Sequence, residues 1–115
     1  MTTYSVQLTD QADMEVEHIY MWHSQRSPEL AHRWYTGLLA ALDSLSTMPQ
    51  RRAVAREDDA FQGVTVRQLL YGKYRILFHV VEPEEGEEGV VRVLHVAHGA
   101  RRQPGKTAGD DESAV

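Results

Sequence analysis

Arginine and histidine side chains that could act on a phosphate or a carboxylate lie along the strand-like second half of the sequence. Arg67 and Arg75 lie in two neighbouring apolar runs, and His98, Arg101 and Arg102 end the last one. Arginine binds an anion through two parallel hydrogen bonds, and histidine changes charge near neutral pH. Such a set could hold a phosphodiester, take a proton from an attacking hydroxyl and stabilise the developing charge. It could equally form a positive docking surface.

Other kinds of site have less support in the residue pattern. The chain has no cysteine, which excludes disulfides and thiolate zinc ligands. His95 and His98 are three apart, a spacing that places two strand residues on opposite faces, so no metal site is expected. Nothing places a serine or threonine beside a base, so a hydrolase triad is not predicted. No cofactor is expected either.

The charge of the chain is unevenly distributed. The net charge of −5 at first disfavours a nucleic-acid partner. Eight of the acids, however, lie in one short loop and near the C-terminus: Glu82, Glu84, Glu85, Glu87, Glu88, Asp110, Asp111 and Glu112. Without these eight and Lys106, nine acids remain against eleven lysines and arginines, a net charge of about +2. That asymmetry is too weak to indicate an RNA-binding surface.

The first half of the chain predicts a strand followed by two helices. Residues 3–9 alternate apolar and polar side chains, which is typical of a half-buried strand. Helical spacing follows over 10–25, after the N-cap chemistry of Thr9 and Asp10. Ser27-Pro28-Glu29 begins a second helix that Pro49 ends. Its apolar stripe predicts core packing for Ala31, Trp34, Tyr35, Leu38, Leu42 and Leu45.

The second half predicts a loop over residues 50–62 and then three successive antiparallel strands. The strand segments are rich in β-branched and aromatic residues and are separated by Gly72-Lys73 and by Pro83–Gly89. They comprise 64–71, 74–82 and 90–97. The element order β-α-α-β-β-β therefore predicts an α+β fold, an antiparallel sheet with a two-helix hairpin packed on one face.

Domain organisation follows from composition and length. Residues 1–103 suffice for a single domain, and 104–115 are polar enough to predict a disordered acidic tail. The N-terminus lacks the basic start and apolar run of a signal peptide, and no segment has the length of a membrane span. We therefore expect a cytoplasmic protein without a membrane partner.

The relative placement of Arg67 and Arg75 depends on the turn between their strands. A two-residue turn at Gly72-Lys73 would pair Arg67 with Phe78 and put the two arginines on opposite faces of the sheet. A three-residue loop with a bulge would return both to one face. The sequence leaves both alternatives open.

Several segments together resemble the RelE/ParE superfamily of toxins from type II toxin–antitoxin systems. They are residues 4–9 with the acidic helix after them, residues 42–49, Val66-Arg-Gln-Leu-Leu-Tyr-Gly-Lys-Tyr-Arg-Ile-Leu-Phe78, and Val93-Leu-His-Val-Ala-His-Gly-Ala-Arg-Arg102. The resemblance spans residues 4–102 and is carried by the order and spacing of these motifs. It implies the superfamily fold, a toxin that arrests growth, and a small antitoxin that neutralises it.

The superfamily contains two kinds of activity, and the resemblance favours one. The ending His98-Gly-Ala-Arg-Arg102 looks more like ParE-like members, which inhibit DNA gyrase without being enzymes. Arg67, Arg75, His98, Arg101 and Arg102 would then contact the target. The alternative is a RelE-like endoribonuclease that cleaves mRNA on the ribosome, with Arg75 and His98 as catalytic residues. A third possibility is a non-toxic remnant that only binds its antitoxin.

Overall fold

The computed structural model describes residues 3–58 and 63–99, which form two helices and one four-stranded sheet. The elements follow the predicted order: β1 (Tyr4–Leu8), α1 (Asp10–Ser24), α2 (Pro28–Asp43), β2 (Arg67–Tyr71), β3 (Tyr74–Val81) and β4 (Gly89–His98). Single 3₁₀ turns occupy Ser44–Ser46 and Pro49–Arg51, so the second helix ends earlier than Pro49. The predicted tail, 104–115, lies outside the described residues, as does the end of the predicted domain.

The two helices begin where the sequence predicts. The Oγ1 of Thr9 accepts the amide proton of Ala12 at 3.1 Å, and the Oγ of Ser27 accepts that of Leu30 at 3.2 Å. Each bond satisfies an amide of the first turn that has no partner within the helix. Pro28 then occupies the first turn of α2, where its missing N–H costs nothing.

The sheet has the strand order β1-β4-β3-β2 and is mixed rather than wholly antiparallel. The β2–β3 and β3–β4 pairs are antiparallel as predicted, but β1 pairs with β4 in parallel. Two successive hairpins reverse the chain twice, so β4 runs in the direction of β2. The helical hairpin and the connection after it return the chain to the end of the sheet where β1 began.

The helices and one face of the sheet enclose the main core. We call this face the inner face and the opposite one the outer face. Leu38 and Leu42, predicted core residues of α2, pack here with Ile19 of α1 against Ile76 and Phe78 of β3. Each such side chain contributes about 1.5–3 kcal/mol when fully buried. Tyr35 departs from the prediction: it is 39% exposed and packs edge-on against Tyr20 of α1.

A β-bulge in β4 changes the alternation of that strand. Phe78 pairs with Val93, whereas its neighbour Leu77 pairs with His95, so Leu94 is an extra residue. The carboxylate of Glu15 on α1 holds the bulge, accepting the amide proton of Val96 at 2.9 Å.

Candidate functional site

Arg75 lies on the outer face inside a buried polar network. Its Nη1 and Nη2 donate to the two carboxylate oxygens of Glu57 at 2.7 and 2.6 Å, and its Nε donates to Oε1 of Gln68 at 3.0 Å. Arg75 is 5% exposed and Glu57 is 0% exposed. The paired fork geometry offsets the loss of hydration that burial imposes on both charges. Arg75 therefore fastens the segment 53–58 to the sheet.

The turn at Gly72-Lys73 decides between the two alternatives for the sheet arginines. Tyr71 pairs with Tyr74 and Arg67 with Phe78, which is the register of a two-residue turn. Gly72 supplies the positive φ, +56°, that such turns require at their first central position. Since Phe78 belongs to the inner face and Arg75 to the outer one, the two arginines lie on opposite faces.

Arg67 is half-buried at the end of β2 that is far from the turn. Its Nη1 donates to the backbone oxygen of Arg52 at 2.8 Å, across the edge of the sheet. The same edge is partly covered, because the amide of Ala55 donates to the oxygen of Val66 and that of Gln68 to the oxygen of Ala53. Arg67 therefore contributes to holding the connection after α2 in place.

His98 lies at the other end of the inner face, in a cluster of aromatic rings. It pairs with Tyr74 across the strands, and the two rings meet nearly at right angles with 6.0 Å between centroids. His23 of α1 shares a hydrogen bond with the hydroxyl of Tyr74, Nε2 to Oη 3.2 Å. Trp34 packs against both His23 and Tyr74, with centroids 5.5 Å from each.

Burial favours the neutral forms of two members of this cluster, His23 and Tyr74. Desolvation, and to a lesser degree the charge of Arg26, lowers the pKa of His23 below its ordinary value. Desolvation also raises the pKa of the Tyr74 hydroxyl. The hydrogen bond between the His23 imidazole and the Tyr74 hydroxyl joins α1 to the sheet.

The structure therefore separates residues that the sequence had grouped. Arg75 belongs to the outer face and His98 to the inner face, whereas Arg67 lies at the far end of β2. Arg101 and Arg102 lie outside the described residues. Sequence reasoning missed Glu57, although a strand arginine flanked by apolar residues is itself a signal that a buried acid must exist elsewhere in the chain.

The described residues include neither a metal-binding cluster nor a membrane-spanning helix. No group of three histidine, cysteine, aspartate or glutamate residues there could hold a metal ion. Neither α1 nor α2 has the length and apolar character of a membrane-crossing helix.

A groove lies between the outer sides of the two helices. It has a volume of about 460 Å³ and is lined by Asp13, Val16, Glu17, Tyr20, His32 and Tyr35. Other exposed apolar side chains lie elsewhere on the two helices: Met14, Met21, Leu30 and Leu39. A concave surface with apolar side chains in its lining is typical of a site that another molecule covers.

Comparison with known proteins identifies the family. A model of the ParE toxin of the type II toxin–antitoxin system parDE matches residues 6–103. The chain belongs to the ParE toxin family. Among solved structures it is similar to the chromosomal ParDE toxin–antitoxin system from P. aeruginosa, with a TM-score of 0.61 and 18% identity over 84% of this chain and 96% of that one. No curated protein matches the chain.

Membership of the ParE family confirms the predicted resemblance and its favoured branch. The structural likeness, at 18% identity, supports the fold alone. It agrees with the α+β arrangement of a helical hairpin on a four-stranded sheet.

Proposed function

We propose that this ParE-family protein is a toxin that inhibits DNA gyrase by binding it and is held inactive by a cognate antitoxin. The observation that carries the proposal is the family match over residues 6–103, nearly the whole described domain. Target binding needs only an accessible surface of suitable charge and shape. It does not require a catalytic constellation.

The state of Arg75 favours binding over RNA cleavage. A catalytic clamp needs an arginine whose donors can reach the phosphate oxygens. Here the guanidinium is buried and its donors are bonded to Glu57 and Gln68. His98 lies on the opposite face of the sheet, so the two residues do not converge on one phosphodiester.

We propose a target-contacting surface that retains most of the predicted residues. His98 and the two arginines that follow it closely in sequence, Arg101 and Arg102, would contact the target, and Arg67 would make a separate contact at the far end of β2. Arg75 would act as a positioning residue, because it fixes the segment 53–58 beside Gly99, whose backbone oxygen accepts from Arg56 at 3.5 Å.

The antitoxin would occupy the groove between the helices. The Val16, Tyr20 and Tyr35 side chains that line it offer anchors for an amphipathic helix. Asp13 and Glu17 at the rim would favour basic residues at the edge of that helix. A partly disordered chain that folds on docking would suit such a shallow surface.

The test is a supercoiling assay with purified toxin, DNA gyrase and relaxed plasmid. We expect loss of supercoiling and accumulation of cleavage complexes, both abolished when the cognate antitoxin is co-expressed with the toxin. Arg101→Ala/Arg102→Ala should weaken the inhibition. Arg33→Ala, an exposed arginine on α2, is the control and should inhibit fully.

Other outcomes would reject the proposal in distinguishable ways. A folded protein that leaves gyrase untouched but cleaves mRNA on ribosomes, with loss of cleavage in a folded His98→Ala variant, would establish the endoribonuclease alternative. A protein that binds antitoxin and affects neither gyrase nor mRNA would be the non-toxic remnant.

A further inference from the structure

A row of hydrogen-bond donors crosses three strands on the outer face, away from Arg75 and the segment 53–58. Gln7 of β1 pairs with Arg92 of β4, and Arg92 pairs with His79 of β3. Neighbouring strands lie about 4.8 Å apart, and side chains that pair directly share a face. An amide, a guanidinium and an imidazole therefore stand side by side. We call Gln7, Arg92 and His79 the donor row.

No acid among the described residues neutralises this row. Arg92 is exposed, and neither it nor His79 makes an ion pair with any residue in 3–58 or 63–99. Burial and the charge of Arg92 both lower the pKa of His79, and no carboxylate counters that effect. Asp58, in the segment that covers the β2 side of this face, accepts the amide proton of Val66 through its Oδ1 and makes no ion pair with the row.

The surroundings of the donor row limit what could bind there. Val81 and Val90 form the next row toward the β3–β4 loop, and Val81 is 38% exposed. The loop itself carries Glu82, Glu84, Glu85, Glu87 and Glu88. These acids would repel a nucleic-acid backbone that extended beyond the row. The same acids repel carboxylates, so a ligand must be short, with its one or two carboxylates confined to the row and an apolar side chain toward the loop.

We propose that the donor row is a contact surface for an acidic segment of a protein partner. The guanidinium of Arg92 would bond a carboxylate of that segment, with donors from Gln7 and His79 on either side and an apolar side chain against Val81. This deepens the proposed function, on which it rests in one respect: the partner is taken to be the protein on which the toxin acts.

The first experiment measures binding directly. A capped seven-residue peptide with two central aspartates flanked by leucines is titrated into the full chain and followed by NMR. We expect shifts at Gln7, His79 and Arg92 and a rise in the pKa of His79, because a bound carboxylate opposes the effect of Arg92. Arg92→Gln should weaken binding about fivefold, the scale of an exposed charge pair.

Two matched controls isolate the carboxylates and the position. The same peptide with asparagine in place of aspartate should bind at least about fivefold more weakly. Arg33→Gln removes the same charge from an exposed arginine on α2 and should leave the affinity unchanged. Binding that is equal in Arg92→Gln, or shifts confined to other residues, would overturn the proposal. So would binding of a short oligonucleotide at the row in preference to the peptide.

The second experiment separates this inference from the proposed function. Arg92→Gln should raise the toxin concentration needed for half-inhibition of gyrase about fivefold. Wild-type protein that binds the peptide at the row but leaves gyrase active would reject the gyrase proposal alone. Wild-type protein that inhibits gyrase, with Arg92→Gln equally potent, would reject the donor row alone.

Discussion

Two arginines on the outer face of the sheet differ in their surroundings. Arg75 is nearly inaccessible, since the segment 53–58 crosses that half of the face and brings Glu57 onto it. Arg92 lies in the uncovered half and is exposed. Both are strand residues in apolar sequence, so their own neighbours in the chain do not distinguish them. The role of each is decided by a distant segment that covers one and not the other.

The largest expected effect comes from removing the acid of the covered half. Glu57→Ala should lower the free energy of unfolding by about 3–5 kcal/mol, because it leaves a buried guanidinium without its counter-charge. Urea denaturation measures it. Replacing both partners, Glu57→Leu with Arg75→Met, should cost much less than the single change. A loss of unfolding free energy below about 1 kcal/mol for Glu57→Ala would mean that the Arg75–Glu57 pair is not buried from solvent.

The inner face should be intolerant of an added atom, though less so than the outer face is of a lost charge. A Cβ at Gly37 would lie 2.1 Å from the hydroxyl of Tyr71, which donates to the backbone oxygen of Trp34 at 2.7 Å. Gly37→Ala should destabilise the domain by about 1–3 kcal/mol despite the better helix propensity of alanine. Adding Tyr71→Phe should restore part of the loss, and thermal unfolding would show it. A stabilised Gly37→Ala variant would contradict the close contact.

The uncovered half should respond to pH through His79. The pKa of His79 is lower in the folded state than its value of 6.5 in the unfolded state. The stability that neutral His79 contributes is therefore fully present above pH 6.5 and is lost as the pH falls through the pKa of the folded state. His23 acts in the same direction. Arg92→Gln should raise the pKa of His79, which an NMR titration measures. An unchanged pKa in that variant would show that the two side chains do not interact.

The smallest effect calibrates what burial adds to an ion pair. Arg33 and Glu29 have the same chemistry as the buried pair, but their side chains are 69% and 83% exposed. Arg33→Ala should change the unfolding free energy by only about 0.2–0.5 kcal/mol, measured by the same urea titration. A cost comparable to that of Glu57→Ala would remove the distinction between the covered and exposed pairs.

The elements of the fold could be predicted because their signals are local. Thr9 and Ser27 cap the helices as their sequence context indicates, and the Gly72-Lys73 turn needs only neighbouring residues to form. The pairing of β1 with β4 could not be read in this way. It depends on the path of the connection between α2 and β2, which has no clear hydrophobic periodicity and sets the direction in which β2 begins.

The candidate site was less predictable, because it depends on contacts between distant segments. Arg75 was expected to face a target, but its partner Glu57 lies in a stretch that sequence patterns describe only as a loop. Arg92 has no distinguishing mark in the sequence, and its exposure follows from the extent of the segment 53–58. In both cases the burial of a side chain is fixed by tertiary packing, which residue spacing alone does not specify.

The bulge at Leu94 changes which face of the sheet each half of β4 presents. Arg92 and His98 are an even number of residues apart and would share a face in a regular strand. The single extra residue sends Arg92 to the outer surface and His98 to the aromatic cluster beneath the helices. Deleting Leu94 would therefore turn one half of the strand over. A single strand therefore contributes Arg92 to the exposed outer face and His98 to the aromatic cluster. The carboxylate of Glu15 stabilises the strand beside the extra residue by accepting the amide proton of Val96.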